Sequence, residues 1–185
     1  MTFNDCTAEC GSYFALTHCV NGWQEEVADI TVTGGDIHTK KECVLIKSHN
    51  MMLDLCDVNI SSDKGVLVHT IVNDDPCATK VTKDVFGVNV VMTDMDVKGD
   101  LLHEDTTREM WVMLNSTQLT GAIQNANLAL DKGSKWTATA DSDVVFVTDV
   151  EPAQIDAPEG VTITAKGAEA GEYTLAGGGK LVVTA

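Results

Sequence analysis

The chain has 185 residues, of which 44% are hydrophobic and only 5% aromatic, and its 28 Asp+Glu against 12 Lys+Arg give a formal charge of −16. A chain of this length buries a continuous core, and the composition excludes a disordered polymer. The acidic balance excludes nucleic-acid tracking and docking on anionic lipid, both of which need a basic surface. No apolar run approaches the roughly 18 residues of a membrane span, so no membrane insertion is expected. The opening Met1-Thr2-Phe3-Asn4-Asp5-Cys6 has no charged region followed by an apolar one, so no signal peptide is expected in this sequence. If the protein is exported, this chain is expected to be part of a longer one.

In chain order, five stretches share one pattern: MTFNDCTA, ITVTGGDI, LDLCDVNI, VVMTDMDV and VMLNSTQL, starting at 1, 30, 53, 90 and 112. Each is apolar at its first, third and eighth positions. The columns are Met1/Ile30/Leu53/Val90/Val112, Phe3/Val32/Leu55/Met92/Leu114 and Ala8/Ile37/Ile60/Val97/Leu119. Positions one and three share a strand face, whereas position eight has the other parity, so the chain must turn a corner between them.

A second block stacks Phe14, Cys43 and Val66, and then Leu16, Leu45 and Val68, at constant offsets of thirteen and fifteen residues from the unit starts. Leu101 and Ile123 are the later equivalents. The starts are separated by 29, 23, 37 and 22 residues, so the coil is about 22 residues long, with an excursion over 73–87 inside the longest unit. Asp74-Asp75-Pro76 breaks the pattern there. Helical spacing is absent over long windows, and 101–114 reads as a turn and a strand.

The last part, 128–185, keeps short strand signals such as Lys135-Trp136-Thr137, Val144-Val145-Phe146-Val147 and Val161-Thr162-Ile163-Thr164 between Gly- and Pro-containing turns, and predicts shorter coils. The expected fold is all-β over 1–185: a single-stranded parallel β-helix, right-handed because parallel crossovers take that hand. Such coils bury their apolar columns only by stacking at about 4.8 Å. Met1 falls inside the first unit, so the first coil is uncapped, and a homo-oligomer formed through that end is an expectation.

Six cysteines, Cys6, Cys10, Cys19, Cys43, Cys56 and Cys77, fall in the first 77 residues. They read mainly as small buried apolar groups; three disulfides are the alternative. Cys6, Cys10, His18 and Cys19 have a loosely zinc-like spacing but no C-x-x-C pair, so no metal site and no cofactor are expected.

The stretches ITVTGGDI, VVMTDMDVKGDLL, WVMLNSTQLTGAIQNANLALDKGSKWTATADSDV and GVTITAKGAEAGEYTLAGGGKLVVTA resemble the passenger-like β-helix repeats of bacterial adhesin and autotransporter-type surface proteins. The likeness covers roughly residues 28–185 and lies in the pattern of strand, Gly, strand and Leu-x-Gly-x-Ile coils followed by a Lys-Trp-Thr-x-Thr-x-Asp segment. It implies an extracellular or cell-surface location on a long exported chain, with a role as scaffold or in adhesion and carbohydrate contact. The cysteines and the 73–87 excursion depart from the usual Cys-poor repeats.

β-Helices also carry glycan-active enzymes, which makes the acidic columns an alternative site. Position five holds Asp5, Gly34, Asp57, Asp94 and Ser116, near the corner; position seven holds Thr7, Asp36, Asn59, Asp96 and Gln118 and should face outward. Asp94 and Asp96 on one face would lie about 6.5–7 Å apart, the range of an inverting glycosidase pair. In that hydrolase reading Asp94 or Asp57 is the general acid and Asp96 the base. Trp111, outward by parity, is the candidate sugar platform, with Arg108 (the chain's one arginine) and His103 as further substrate contacts. The other two tryptophans, Trp23 and Trp136, are expected in a core or cap.

Overall fold

In the computed structural model, which describes residues 1–19, 26–75 and 86–185, strands lie side by side wherever the apolar columns align. Strands β1 (Thr2–Cys10), β3 (Val27–Thr39), β5 (Asn50–Cys56), β8 (Val88–Thr93) and β11 (Met110–Asn115) pair in parallel, in that order. Their register places Phe3 beside Val32, Val32 beside Leu55, Leu55 beside Met92 and Met92 beside Leu114. The side chains of positions one and three point inward, and from Val32 onward this third-position column is at most 2% exposed.

A second arm contains β2 (Ala15–His18), β4 (Val44–Lys47), β7 (Val66–Ile71) and β10 (Asp100–His103), again in parallel. Strand β13 (Ile123–Leu130) joins the arms: Ile123 and Gln124 pair with β10, and Ala126–Leu130 pair with β11. The bend between these halves falls at Asn125, whose φ is +54°. The result is one curled sheet of 15 strands among the described residues, extended past β13 by β15 (Ser142–Phe146), β17 (Thr162–Lys166) and β19 (Lys180–Thr184).

Position eight forms its own rung. Ala8, Ile37 and Ile60 align through β6 (Asn59–Ser62), while Val97 and Leu119 align through β9 (Asp96–Lys98) and β12 (Gln118–Thr120). Strands β14 (Lys135–Thr137) and β16 (Ile155–Asp156) extend β9 and β12 into a four-stranded parallel sheet, bringing Leu119, Trp136 and Ile155 into line. Trp136 is fully buried, and its indole N–H donates to the Gly121 carbonyl at 2.8 Å, which satisfies the one polar atom of the largest core side chain.

The chain is thus nearly all β and mostly parallel. A short 3₁₀ turn, Pro152–Gln154, interrupts it, and no helix among the described residues is long and apolar enough to cross a membrane. The antiparallel exception is β18 (Gly171–Thr174), which lies along the outer edge of β19. At the opposite end β1 and β2 are the outermost strands, with Met1 75% and Leu16 46% exposed.

One expected stack is displaced. The constant offset aligned Leu16, Leu45 and Val68, but the register places Val68 beside Val44, leaving Leu45 beside His69. A slip of one residue reverses which face a side chain occupies. Ala15, Val44, Val68 and Leu101 therefore point inward, and Leu16 points out. Of the cysteines, Cys19 and Cys43 are buried, Cys6, Cys10 and Cys56 are half-buried, and all five are free thiols. Trp23, Cys77 and residues 76–85 of the expected excursion lie outside the described residues.

Candidate functional site

The position-five column has a backbone explanation. Asp5, Asp57, Asp94 and Ser116 have φ of +47°, +50°, +53° and +49°, and Gly34 completes the set at +68°. This is the left-handed conformation that turns the strand from the first rung to the next, and glycine, asparagine and aspartate enter it most readily. A Cβ on Gly34 would also crowd the Asp5 carboxylate. The left-handed corner is a sufficient reason for Asp57 and Asp94, both exposed, to occupy these positions. Asp96 is exposed as well, one rung on, in register with Gln118. No group of three or more His, Cys, Asp or Glu placed to hold a metal ion occurs among the described residues.

The other three candidate residues converge on the turn between β10 and β11. His103 ends β10 with its side chain inward, 2% exposed. Its Nε2–H donates to the Arg108 carbonyl at 2.9 Å, which leaves Nδ1 to accept from the Thr70 hydroxyl. Burial holds the imidazole below its usual pKa, against the raising influence of the Arg108 carbonyl and Asp105.

Arg108 is also turned inward: its side chain is 1% exposed and that of Asp105 2%. Nη1 lies 3.4 Å from Asp105 Oδ2, and Nε donates to Asn50 Oδ1 at 3.4 Å. Asn50 Oδ1 accepts from the Gly87 backbone as well, at 3.0 Å. Asp105 Oδ1 accepts from the Thr107 backbone and hydroxyl. His103 and Arg108 therefore hold the 104–109 turn onto the curled sheet from beneath, with their side chains almost wholly buried.

Trp111 differs. It follows this turn on the outward side of β11, half-exposed, and its Nε1–H donates to Glu109 Oε2 at 3.1 Å. Asn127 Nδ2 shares that carboxylate at 3.5 Å. The register continues the row outward from Asn89 through Trp111 and Asn127 to Val145 and Lys166. Beside it runs a groove of about 370 Å³ that Trp111 does not itself line: β10 contributes His103, the turn Thr106, Arg108 and Glu109, β13 Asn125 and Asn127, β15 Asp143 and β17 Lys166. From Trp111 to Lys166 the row crosses three strand spacings, about 14 Å.

In this row and its groove, sequence reading selected Trp111, His103 and Arg108 but missed Glu109, Asn127, Asp143 and Lys166. The parity that turns Trp111 outward also applies to Asn127, one position before the inward Leu128, and that signal was available. The two buried cysteines offer little to nucleophilic chemistry: burial pushes the Cys43 thiol up to about 11, and burial raises Cys19 as well. In comparisons with known proteins, no family model, no curated protein and no solved structure matches this chain.

Proposed function

We propose that this chain is a right-handed parallel β-helix segment of an exported bacterial surface protein, and that it contacts carbohydrate through the outward row centred on Trp111. The observation that carries the reading is the Trp111–Glu109–Asn127 cluster beside a groove that crosses successive parallel strands. A partly exposed, outward-facing indole supplies an apolar platform for a sugar face, while a carboxylate and carboxamides supply the acceptors and donors that hydroxyls need. The rungs beneath are rigid elements, which favours precise placement of such contacts. Stacked parallel strands with corner residues at a fixed position support the solenoid, and the handedness follows from the crossover rule. An extracellular, cell-surface location goes with this reading.

The test is a panel of plant and host glycans applied to the full chain and to Trp111→Ala. Retention of at least one glycan by the wild type, weakened at least tenfold in the variant, is the expected result. Retention that Trp111→Ala leaves unchanged, or none at all, overturns the site. Reducing-sugar release lost in both Asp94→Asn and Asp96→Asn would replace the binding reading with a hydrolase.

A further inference from the structure

A second concavity, separate from the Trp111 groove, opens between the segment that follows β15 and the β18–β19 hairpin. Its volume is about 300 Å³, at the lower end of small-molecule sites and roughly ten water volumes. Two aromatic rings, Phe146 and Tyr173, line it together with Leu181, and both rings pack partly against the core, which fixes their positions. Three carboxylates, Asp149, Glu151 and Glu169, line the same space, and no lysine, arginine or histidine does so among the described residues. None of the three carboxylates joins an ion pair among the described residues.

Both halves of this lining select the same ligand. Three carboxylates without a basic partner leave a negative potential over the cavity, in a chain already at −16. A hydrated metal ion would answer the charge but gain nothing from Phe146, Tyr173 and Leu181. A neutral apolar molecule would use the rings and leave the carboxylates uncompensated. An organic ammonium satisfies both, because its carbon substituents pack on the apolar wall while its charge meets the carboxylates and the negative faces of the rings. We propose that this cavity binds a small organic cation of the quaternary or primary ammonium class. The site is independent of the carbohydrate reading and stands if that reading fails.

The experiment is calorimetric titration of the full chain with choline and, in parallel, with 3,3-dimethylbutanol, its uncharged counterpart of similar shape, in about 150 mM salt so that diffuse attraction to an acidic protein is screened. Saturable binding of choline and little or none of the alcohol is expected. Phe146→Leu and Tyr173→Leu should each weaken choline about three- to fivefold, the loss of one cation–π contact. Glu169→Gln, a change at an exposed position that the fold tolerates, should weaken choline and leave the circular dichroism unchanged; Trp111→Ala should leave choline affinity as it is. Equal binding of the alcohol, choline affinity indifferent to all three cavity variants, or no saturable choline binding by the wild type overturns the proposal.

Discussion

At Asp94 the backbone makes a demand that only a few side chains meet. Its φ is +53°, and a similar positive φ recurs at the same corner of neighbouring repeat units, +50° at Asp57 and +49° at Ser116. The backbone N–H of Asp94 donates to the Asn115 carbonyl at 3.0 Å, and that of Asp57 to the Thr93 carbonyl at 3.1 Å, so each corner is tied to the neighbouring strand. The expected order of stability is therefore set by conformation and not by charge. Asp94→Val should cost about 1–2 kcal/mol, the ordinary penalty of a left-handed residue with a branched Cβ. Asp94→Asn and Asp94→Gly should stay within roughly 0.5 kcal/mol of the wild type, since both residues enter this region readily. Urea denaturation of the three variants checks the order; a loss in Asn and Gly as large as that in Val would show that the carboxylate itself holds the corner.

At the level of elements, two kinds of information were unequally legible. The columns through Leu53, Leu55 and Ile60 could be read because strand side chains alternate, and every coil repeats the same parity. The slip at β7 could not, because Leu45, Val66, Val68 and Leu67 are all apolar and either register looks satisfactory on paper. The turn between β10 and β11 was legible as a turn, but Arg108 was read there as a substrate contact, whereas its side chain is buried against Asp105. Both are buried because Asn50 and Thr107 meet part of their hydrogen-bonding needs inside the turn. Burial pushes the Arg108 guanidinium below its usual pKa, and Asp105 opposes the shift. Asp105→Asn would leave that guanidinium buried without its counter-ion and should cost about 3–5 kcal/mol. Arg108→Met combined with Asp105→Asn should recover much of the loss, because the isolated charge has gone. A double-mutant cycle in urea measures the coupling, and a double variant no better than Asp105→Asn alone would show that the pair does not act as a unit.

Over the whole molecule the dominant electrostatic fact is the charge of −16, and its arrangement determines how that charge acts. At position seven the repeat units avoid direct stacking of acids: Asp36 sits beside Thr7 and Asn59, and Asp96 beside Gln118. Asn59 donates to Asp36 Oδ1 at 2.9 Å, which turns that neighbour relation into a hydrogen bond. At Asp36 close like-charge contact is thus replaced by amide–carboxylate pairing, while Gln118 donates to the Gly133 carbonyl at 3.1 Å. The repulsion that remains comes from carboxylates dispersed over the surface. Beyond the Debye length, about 10 Å at 0.1 M salt, such repulsion is screened, whereas hydrogen bonds at contact are little affected. Unfolding spreads the same charges over a larger volume, so self-repulsion favours the unfolded chain at low ionic strength. Raising sodium chloride from about 10 mM, where the Debye length is near 30 Å, to about 0.15 M should move the urea midpoint upward, with most of the gain complete by the time the length has fallen to about 8 Å. Urea is the denaturant required, because guanidinium chloride would itself supply the screening. A midpoint that falls with added salt would mean that attractive pairs such as Lys47 with Asp74 and Asp75 outweigh the dispersed repulsion.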